Sequence, residues 1–407
     1  MGYWAGAARV RVMGVIVALA VALVGSLAAL AAVSEQPAGA VAVSGVTTML
    51  RVAFASPSDG VGLFELIRYP VTGTAGETCE IFTRASVDGG ARFGSSGKSI
   101  VRSNCATTAV SQLATDGVGD VFAYGPDLFV SHDDGASWRS SSGLVGVVAL
   151  VAVGRSVWAL DESCPQPGPN PSAACEVTLL VSTNGGRSWA RAPRQPPLRS
   201  FERSAVGDPE LSTWLVRPSL GSADIVLPPA ARGAAATIDQ TTNAGAAWRT
   251  VRAPCAAGGL TTEFATAPNG ALWLVCAGEP AVGNQEKSVA RSLDGGKTWS
   301  TSGPVCELGS TTCKPAMPFG GYLGGLAALS SSTAFYVGGR SSLTVTRNAG
   351  RSWTALPGFS GDASGTADVT FFNVRDGWAI DEGFGGHAVL WRTSDGGLHW
   401  ARLTTAT

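Results

Sequence analysis

The octet Ser292-Leu293-Asp294-Gly295-Gly296-Lys297-Thr298-Trp299 recurs, in close variants, along almost the whole chain. Written as Ser/Thr-x-Asp/Asn-x-Gly-x-x-aromatic, the pattern starts again at Ser86, Ser131, Ser182, Thr241, Thr346 and Thr393. The seven copies lie 45 to 59 residues apart. Self-similarity at such a period indicates a repeat architecture, in which each copy marks one structural unit.

Each position of the octet suits a tight turn between two strands. The Ser or Thr and the Asp or Asn two residues later can hydrogen-bond nearby backbone groups, and the glycine suits a positive φ. The third position is Asp88, Asp133, Asp294 or Asp395 in four copies and Asn184, Asn243 or Asn348 in three. A general acid or a metal ligand would not tolerate this exchange, so we interpret the seven residues as structural.

A second pattern lies upstream of each octet, where a short apolar run is centred on an aromatic residue. The centres are Phe64, Phe122, Trp158, Trp214, Trp273, Phe335 and Trp378. Runs of this kind, bounded by Gly, Asn, Asp and Ser, are typical of strands. Each unit then holds four short antiparallel strands, with the octet between the third and the fourth. The sequence therefore predicts an all-β protein, a seven-bladed β-propeller of four-stranded antiparallel blades.

The repeat resembles the Asp-box, or bacterial neuraminidase repeat, of a superfamily of β-propellers. That group includes sialidases, sortilin-type receptors, xyloglucan-degrading endoglucanases and photosystem II assembly/stability factors. The resemblance covers about residues 45–407, and the last unit, from Asp368 to Trp400, is most similar to the blades of the photosystem factors. It implies a propeller with one Asp-box in each blade. It does not select a function, because the same blades serve enzymes, receptors and assembly factors.

Residues 1–42 have the character of a targeting segment, and residues 43–407 form the predicted propeller domain. Arg9 and Arg11 precede an uncharged apolar run over residues 12–33, and small residues follow as far as Ala42. The segment is interpreted either as a signal peptide cleaved near Ala40 or Ala42, or as a hydrophobic helix that anchors the chain with its N-terminus in the cytoplasm. Both alternatives place the propeller outside the cytoplasm, either in the cell envelope or released.

The cysteines favour an oxidising compartment. All eight lie in the exported part: Cys79, Cys105, Cys164, Cys175, Cys255, Cys276, Cys306 and Cys313. Sequence alone does not fix their connectivity, but pairing neighbours (79–105, 164–175, 255–276 and 306–313) keeps each loop within a blade or at a blade junction. Short C-x₂-C spacings are absent and the three histidines are scattered, so we favour disulfides over metal binding and predict no cofactor.

Charge and composition exclude nucleic acid as a partner. The formal net charge is −1 and no basic stripe is present, whereas nucleic-acid binding depends on phosphate neutralisation. The expected partner is a protein or an envelope glycan. Membrane contact is expected only through the N-terminal hydrophobic segment, and the chain is expected to be a monomer.

The predicted ligand site is the face opposite the Asp-boxes, where the loops between second and third strands emerge. Polar residues expected at the ends of second strands, and so at the mouth of the central channel, are Arg68, Asp161, Glu162, Arg217, Arg340, Asp381 and Glu382. The pairs Asp161-Glu162 and Asp381-Glu382 follow the similar triplets Trp-Ala-Leu and Trp-Ala-Ile.

Two functions compete at this stage. A sialidase-like enzyme needs three arginines, which Arg68, Arg217 and Arg340 would supply, and a Tyr–Glu pair, which the sequence does not reveal. A two-carboxylate glycosidase, for example a xyloglucanase-like enzyme, would use Asp161 and Asp381. No catalytic residue is assigned. The favoured hypothesis is an exported, non-catalytic propeller that binds a protein or a glycan, and the alternative is a glycoside hydrolase acting on extracellular glycans.

Overall fold

A computed structural model describes residues 44–69, 77–105, 110–141, 143–144, 146–163, 174–198, 201–202, 214–227, 236–255, 261–281, 284–302, 317, 321, 323–338, 342–359, 368–382 and 388–403. The predicted signal or anchor over residues 1–42 lies outside these ranges, as do Cys164, Cys306, Cys313 and Arg340. Within them, no helix is both long and apolar enough to cross a bilayer.

The described chain forms seven antiparallel sheets, each built from consecutive strands. Blade one contains β1 (Ser44–Phe54), β2 (Gly60–Tyr69), β3 (Thr78–Ser86) and β4 (Lys98–Asn104). Blade two contains β5 (Gln112–Thr115), β6 (Val121–Tyr124), β7 (Phe129–Ser131) and β8 (Arg139–Ser140). Blade three contains β9 (Val147–Val153), β10 (Ser156–Ser163), β11 (Ala174–Ser182) and β12 (Ala190–Arg191), and β13 (Phe201–Glu202) pairs with the start of β11.

The remaining four blades repeat this arrangement. Blade four contains β14 (Trp214–Val216), β15 (Ala223–Leu227), β16 (Thr237–Thr241) and β17 (Arg249–Arg252). Blade five contains β18 (Thr261–Thr266), β19 (Leu272–Ala281), β20 (Asn284–Ser292) and β21 (Ser300–Ser302). Blade six contains β22 (Gly325–Ala328), β23 (Ala334–Val337), β24 (Thr344–Thr346) and β25 (Thr354–Ala355). Blade seven contains β26 (Asp368–Phe371), β27 (Gly377–Glu382), β28 (Ala388–Thr393) and β29 (Ala401–Leu403).

This architecture is a seven-bladed β-propeller, as the repeat predicts. The first strand of each sheet lies at one edge and the fourth at the other. First strands of neighbouring blades, such as β1 with β5 and β22 with β26, lie next to each other and surround the centre of the ring. Blade one uses only β1 to β4 and blade seven only β26 to β29, so no described sheet mixes strands from the two ends of the chain.

The Asp-box turn uses the same three hydrogen bonds in every blade. In blade five, Ser292 Oγ donates to Asp294 Oδ1 at 2.8 Å and accepts from the Gly296 N–H at 2.8 Å, while the Thr298 N–H donates to Asp294 Oδ1 at 2.9 Å. The φ angles of the seven Asp-box glycines lie between 75° and 88°, a region that favours glycine. Only one acceptor oxygen is needed at the third position. Asn therefore replaces Asp without loss, as at Asn184.

One position on each second strand fills the joint with the following blade. The third strand of each blade ends at the Asp-box Ser or Thr. We call joint position the second-strand residue that pairs with the third-strand residue just before that Ser or Thr. It is Phe122, Trp158, Trp273, Phe335 or Trp378 in five blades, Val61 in blade one and Asp224 in blade four. In blade three the ring of Trp158 lies against the next Asp-box, 3.3 Å from where a Cβ on Gly245 would stand.

Two of the predicted aromatic centres do not occupy the joint position. Trp214 lies in β14, the first strand of blade four, and not in the second strand. Phe64 lies three residues beyond Val61 on β2. The prediction that one aromatic residue marks the second strand of every blade is therefore wrong for blade four, whose second strand, β15, carries no aromatic residue.

The ring closes through side chains that join blade seven to blade one. The Trp378 and Phe54 rings stack with centroids 3.7 Å apart and planes within 4° of parallel. Trp378 Nε1 also donates to the Gly89 carbonyl, in the Asp-box of blade one, at 2.9 Å. A shared cluster of buried apolar residues, including Phe64 and Leu390, surrounds this contact. Closure is thus non-covalent and depends on packing.

Two of the four expected disulfides fall in the described residues, and both are formed. They are Cys79–Cys105 in blade one and Cys255–Cys276 at the junction of blades four and five. The partners are 26 and 21 residues apart, so each bond closes a local loop. The other two predicted pairs involve side chains outside the described part of the chain.

Candidate functional site

The face opposite the Asp-boxes holds most of the predicted mouth residues. Arg68 lies one residue before the end of β2, Asp161 and Glu162 lie near the end of β10, and Asp381 and Glu382 end β27. Asp161 and Asp381 occupy equivalent positions on their second strands. Each lies four residues after the second-strand residue that pairs with the Ser or Thr of the Asp-box. They belong to blades three and seven, which are not neighbours in the ring.

Blade one presents a cluster of charged residues that we call the blade-one platform: Arg68, Glu80 and Arg102. Arg68 Nη2 lies 2.9 Å from one Glu80 carboxylate oxygen, and Arg102 Nη2 donates to the other at 2.7 Å. Burial opposes ionisation of Glu80, but hydrogen bonds from Arg102 and Ser99 and the charges of both arginines hold its pKa below the usual value. Cys79, which is bonded to Cys105, directly precedes Glu80 on β3.

Asp161 is occupied by an internal contact. Its Oδ1 accepts from the Gly146 N–H at 3.1 Å, and the Glu162 N–H donates to the Gly146 carbonyl at 2.7 Å. Burial raises the pKa of Asp161, and the negative charge of Glu162 adds to the increase. These bonds hold the chain that leads into β9 against the end of β10, which is a structural task. Asp381 is also buried, with 5% of its surface exposed.

Arg217 does not lie at the mouth, and its predicted position is wrong. It directly follows β14, a first strand, and so belongs to the turn between first and second strands on the Asp-box face. Its guanidinium carbon lies 4.2 Å from the Trp158 ring centroid, and its Nη1 donates to the Ser156 carbonyl at 2.9 Å. Burial lowers the pKa of Arg217 to about 10, so the group stays charged at neutral pH. Arg68 and Arg217 lie on opposite faces, and the predicted arginine triad is not assembled.

Replacing Arg217 with alanine is expected to lower the free energy of unfolding by about 1.5 kcal/mol, because a desolvated cation–π contact and a buried hydrogen bond are lost together. Urea denaturation at pH 7 measures the change. Arg191→Ala, on the exposed strand β12, is the control and should alter stability by less than about 0.5 kcal/mol. Equal losses in the two variants would contradict the assignment of Arg217 to the joint of blades three and four.

A second polar cluster lies at the centre of the ring and was not predicted. Arg51, Gln112, Glu263 and Asp368 stand at one register position on the first strands of blades one, two, five and seven. We call these four residues the channel collar. Arg51 Nε donates to Gln112 Oε1 at 3.2 Å and lies 3.8 Å from Asp368 Oδ2. Blade six, between the two acidic blades, carries Gly325 at the same position.

The channel collar contains a carboxyl group that favours its neutral form. Glu263 is only 3% exposed. Burial and then the charge of Asp368 raise the pKa of Glu263 well above its usual value, while Arg51 opposes the increase. Burial and the charge of Glu263 also raise the pKa of Tyr336. The Asp368 side chain is 31% exposed. A buried acid with a raised pKa beside a more exposed carboxyl group is an arrangement that acid–base catalysis uses and that structural networks also adopt.

The sequence alone does not reveal the channel collar, because its members align only when the pairing register of the first strands is known. Each member is the one charged or amide residue of its strand, and the four come from four different blades. Among the described residues, no group of three or more His, Cys, Asp or Glu side chains is placed to hold a metal ion.

This chain was compared with protein families, curated proteins and solved structures. No protein-family model matches the sequence, and no curated protein matches it significantly. Solved structures do match. YCF48 bound to D1 peptide is 14% identical with a TM-score of 0.43, over 88% of this chain and 83% of that one. An ancestral GH74 enzyme is 13% identical with a TM-score of 0.48, over 86% of this chain and 44% of that one. A Hadza microbial sialidase is 14% identical with a TM-score of 0.41, over 86% of this chain and 65% of that one.

These neighbours include glycoside hydrolases as well as a peptide-bound protein, so they do not separate the two functions. The fold of this chain is established by its own seven four-stranded sheets, and every blade closes on the same Ser/Thr–Asp/Asn–Gly turn. The chain is therefore a seven-bladed β-propeller of the Asp-box type.

Proposed function

We propose that this protein is an exported, non-catalytic binding module of the cell envelope, and that its blade-one platform binds an acidic segment of a partner polypeptide. The observation that carries the proposal is the charge of the platform. Two arginines share one carboxylate, which leaves one positive charge in excess. The side chains of Arg68 and Arg102 are 41% and 67% exposed, whereas Glu80 is 10% exposed. The outward surface is therefore cationic.

The platform is also held in place before any ligand arrives. Glu80 and Arg102 face each other across β3 and β4, and the Cys79–Cys105 disulfide joins the same two segments. Guanidinium groups fixed on a carboxylate lose little conformational freedom when a second carboxylate binds, which favours affinity. An Asp or Glu side chain, or a C-terminal carboxylate, suits this geometry because a guanidinium can donate two parallel hydrogen bonds.

Export is supported by the disulfides and by the apolar segment near the N-terminus. Cys79–Cys105 and Cys255–Cys276 are stable in oxidising compartments and rare in the cytosol. In this proposal the first 42 residues are either a cleaved signal peptide or a membrane anchor. Both leave the platform outside the cytoplasm.

The test is binding of labelled peptides to the full-length protein, followed by fluorescence anisotropy at low and at physiological salt. An Asp/Glu-rich peptide is expected to bind, and a Lys-rich peptide of the same length is not. The double variant Arg68→Glu/Arg102→Glu should weaken binding at least ten-fold, because it reverses the charge of the platform. Arg191→Glu, an exposed charge reversal on blade three, is the matched control and should leave binding unchanged.

A panel of uronic-acid oligosaccharides is measured in parallel, because their carboxylates offer the same charge. Binding to the saccharides alone would assign the platform to an envelope glycan instead. Acidic-peptide binding that survives the double variant would refute the platform as the site.

Glycoside hydrolysis is the second candidate, and one observation favours it: buried Glu263, whose pKa is raised, shares the channel collar with the more exposed carboxyl group of Asp368. Fluorogenic sialosides and β-glucosides measure it directly. The binding proposal expects no turnover by the wild-type protein. Turnover that disappears in both Glu263→Gln and Asp368→Asn would replace it with a glycosidase centred on the collar.

A further inference from the structure

We infer that the joint between blades four and five, on the Asp-box face, is a binding site for a neutral saccharide. Blade four is the blade whose joint position carries a carboxylate, Asp224, where five others carry an aromatic ring. A cavity of about 540 Å³ opens at this joint. Its lining includes Asp224, Gln240, Trp248, Arg249, Thr266 and Lys297. The volume lies within the range of pockets that hold small ligands, roughly 300–1,000 Å³.

A chain of hydrogen bonds holds the polar side chains of this cavity in place. Gln240 Nε2 donates to Asp224 Oδ1 at 2.6 Å. Gln240 Oε1 accepts from Arg249 Nη2 at 2.5 Å, and the same nitrogen donates to the Gly295 carbonyl of blade five at 2.7 Å. Asp224 and Gln240 are each 8% exposed. The site is therefore built of nearly buried groups whose orientation is fixed by both blades.

Two polar atoms of the cavity lining have no hydrogen-bond partner among the described residues. Within the described residues, the second carboxylate oxygen of Asp224 receives no hydrogen bond, since the bond from Gln240 goes to Oδ1. Thr266 Oγ1 is buried and likewise has no partner in the described part of the chain. Burial raises the pKa of Asp224, although Gln240 and Arg249 counteract it. A buried polar atom without a partner is costly, and this applies to Thr266 Oγ1. A ligand that supplies hydroxyl groups would give Thr266 Oγ1 a partner and could also donate to the second carboxylate oxygen of Asp224.

The charge of the lining favours a neutral ligand. Asp224 and Asp294 contribute two negative charges, and Arg249 and Lys297 contribute two positive ones. These charges cancel, so neither a cationic nor an anionic ligand meets a lining of net opposite charge. Hydroxyl groups can instead donate to Asp224 and exchange hydrogen bonds with Thr266. These are the contacts that a sugar ring makes with a protein.

The apolar part of the cavity completes this match. Trp248, partly buried beside Trp158 with ring centroids 6.0 Å apart, lines one side, and Leu272 lines another. An aromatic face next to a carboxylate, an amide and a hydroxyl suits a pyranose, whose ring has apolar C–H faces and polar edges. This site lies on the opposite face from the blade-one platform and does not depend on the function proposed for it.

The test is isothermal titration calorimetry of the full-length protein with cellobiose, maltose, lactose and mannobiose. Millimolar or tighter binding of at least one disaccharide is expected. Asp224→Phe should abolish it, with at least a ten-fold loss, because the ring fills the cavity as Phe122 and Phe335 do in their own joints. Thr266→Val should weaken the same binding without filling the cavity. Phe122→Leu, which changes the joint position of blade two, a blade that contributes no residue to the cavity lining, is the matched control and should bind as the wild type does.

Thermal unfolding verifies that Asp224→Phe stays folded, and Thr266→Val carries the test if it does not. The proposal is overturned if no disaccharide of the panel binds, or if binding survives both variants. Acidic-peptide binding, measured on the same variants, should be unchanged. Loss of acidic-peptide binding only in Arg68→Glu/Arg102→Glu would therefore identify the platform as the peptide site. Loss of disaccharide binding only in Asp224→Phe would identify this joint as the saccharide site.

Discussion

Trp378→Ala is expected to lower the free energy of unfolding by about 4 kcal/mol, the middle of the range for removal of a buried Phe or Trp side chain. Trp378 is 1% exposed, stacks on Phe54 and donates its indole N–H to the Gly89 carbonyl. Its loss leaves a cavity and an unpaired carbonyl at the contact that closes the ring. Since blades one and seven share no strand within the described residues, no strand pairing seen there compensates for the loss.

Urea denaturation of the wild-type and variant proteins measures this effect. Phe372→Ala removes an aromatic residue of the same blade that is 45% exposed, and it should cost less than about 1 kcal/mol. Trp378→Phe should lie between the two, because it keeps the stacking and loses the hydrogen bond. A loss below about 1 kcal/mol for Trp378→Ala would show that closure does not depend on this side chain.

The stability of the wild-type protein is expected to increase by about 2 kcal/mol between pH 7.5 and 9.5 through Lys287 alone. Lys287 is 3% exposed, and burial lowers its pKa to about 8. The unfolded side chain titrates near 10.4. Between these values the unfolded state binds a proton that the folded state has released, so unfolding becomes less favourable as the pH rises. Well below pH 8 both states hold the proton and the contribution is constant.

Lys287→Met isolates this contribution, because it keeps the length of the side chain and removes the amine. The increase with pH should be about 2 kcal/mol smaller in the variant than in the wild type. The variant also loses the hydrogen bonds from Nζ to the Gln285 and Gly321 carbonyls, at 3.0 and 2.8 Å, but that loss does not depend on pH. Measurements stop at pH 9.5, because the raised pKa of Tyr336 makes stability fall at higher pH. Identical pH profiles would contradict a buried, destabilised ammonium group.

The number of blades could be predicted from sequence because the information is local. Every hydrogen bond that defines an Asp-box joins residues at most four apart, such as Gly296 to Ser292 and Thr298 to Asp294. Seven copies of such a motif therefore mean seven turns, whatever the rest of the chain does. The disulfides Cys79–Cys105 and Cys255–Cys276 agree with the pairing of sequence neighbours, which the sequence favoured but did not fix.

The site residues depended on strand register, which the sequence does not display. In blade four, Trp214 matches the aromatic pattern but belongs to the first strand, so the following Arg217 was assigned to the wrong face. The joint position itself is held by Asp224, and a search for aromatic residues cannot find it. The channel collar required the alignment of four different blades. In each case the missing quantity was a pairing between strands, and composition does not encode it.

The closure of the ring by side-chain packing bears on how such a protein can evolve. Each repeat of the gene corresponds to one complete sheet, from β1 to β4 through β26 to β29. Duplication or deletion of a repeat would therefore add or remove a finished unit without leaving any strand half-paired. Only the wedge angle between sheets would have to readjust, and that angle depends on the size of the side chain at each joint. Replacement of an aromatic ring by a carboxylate, as in blade four, is a local change by which one repeat can acquire a function that the other repeats lack.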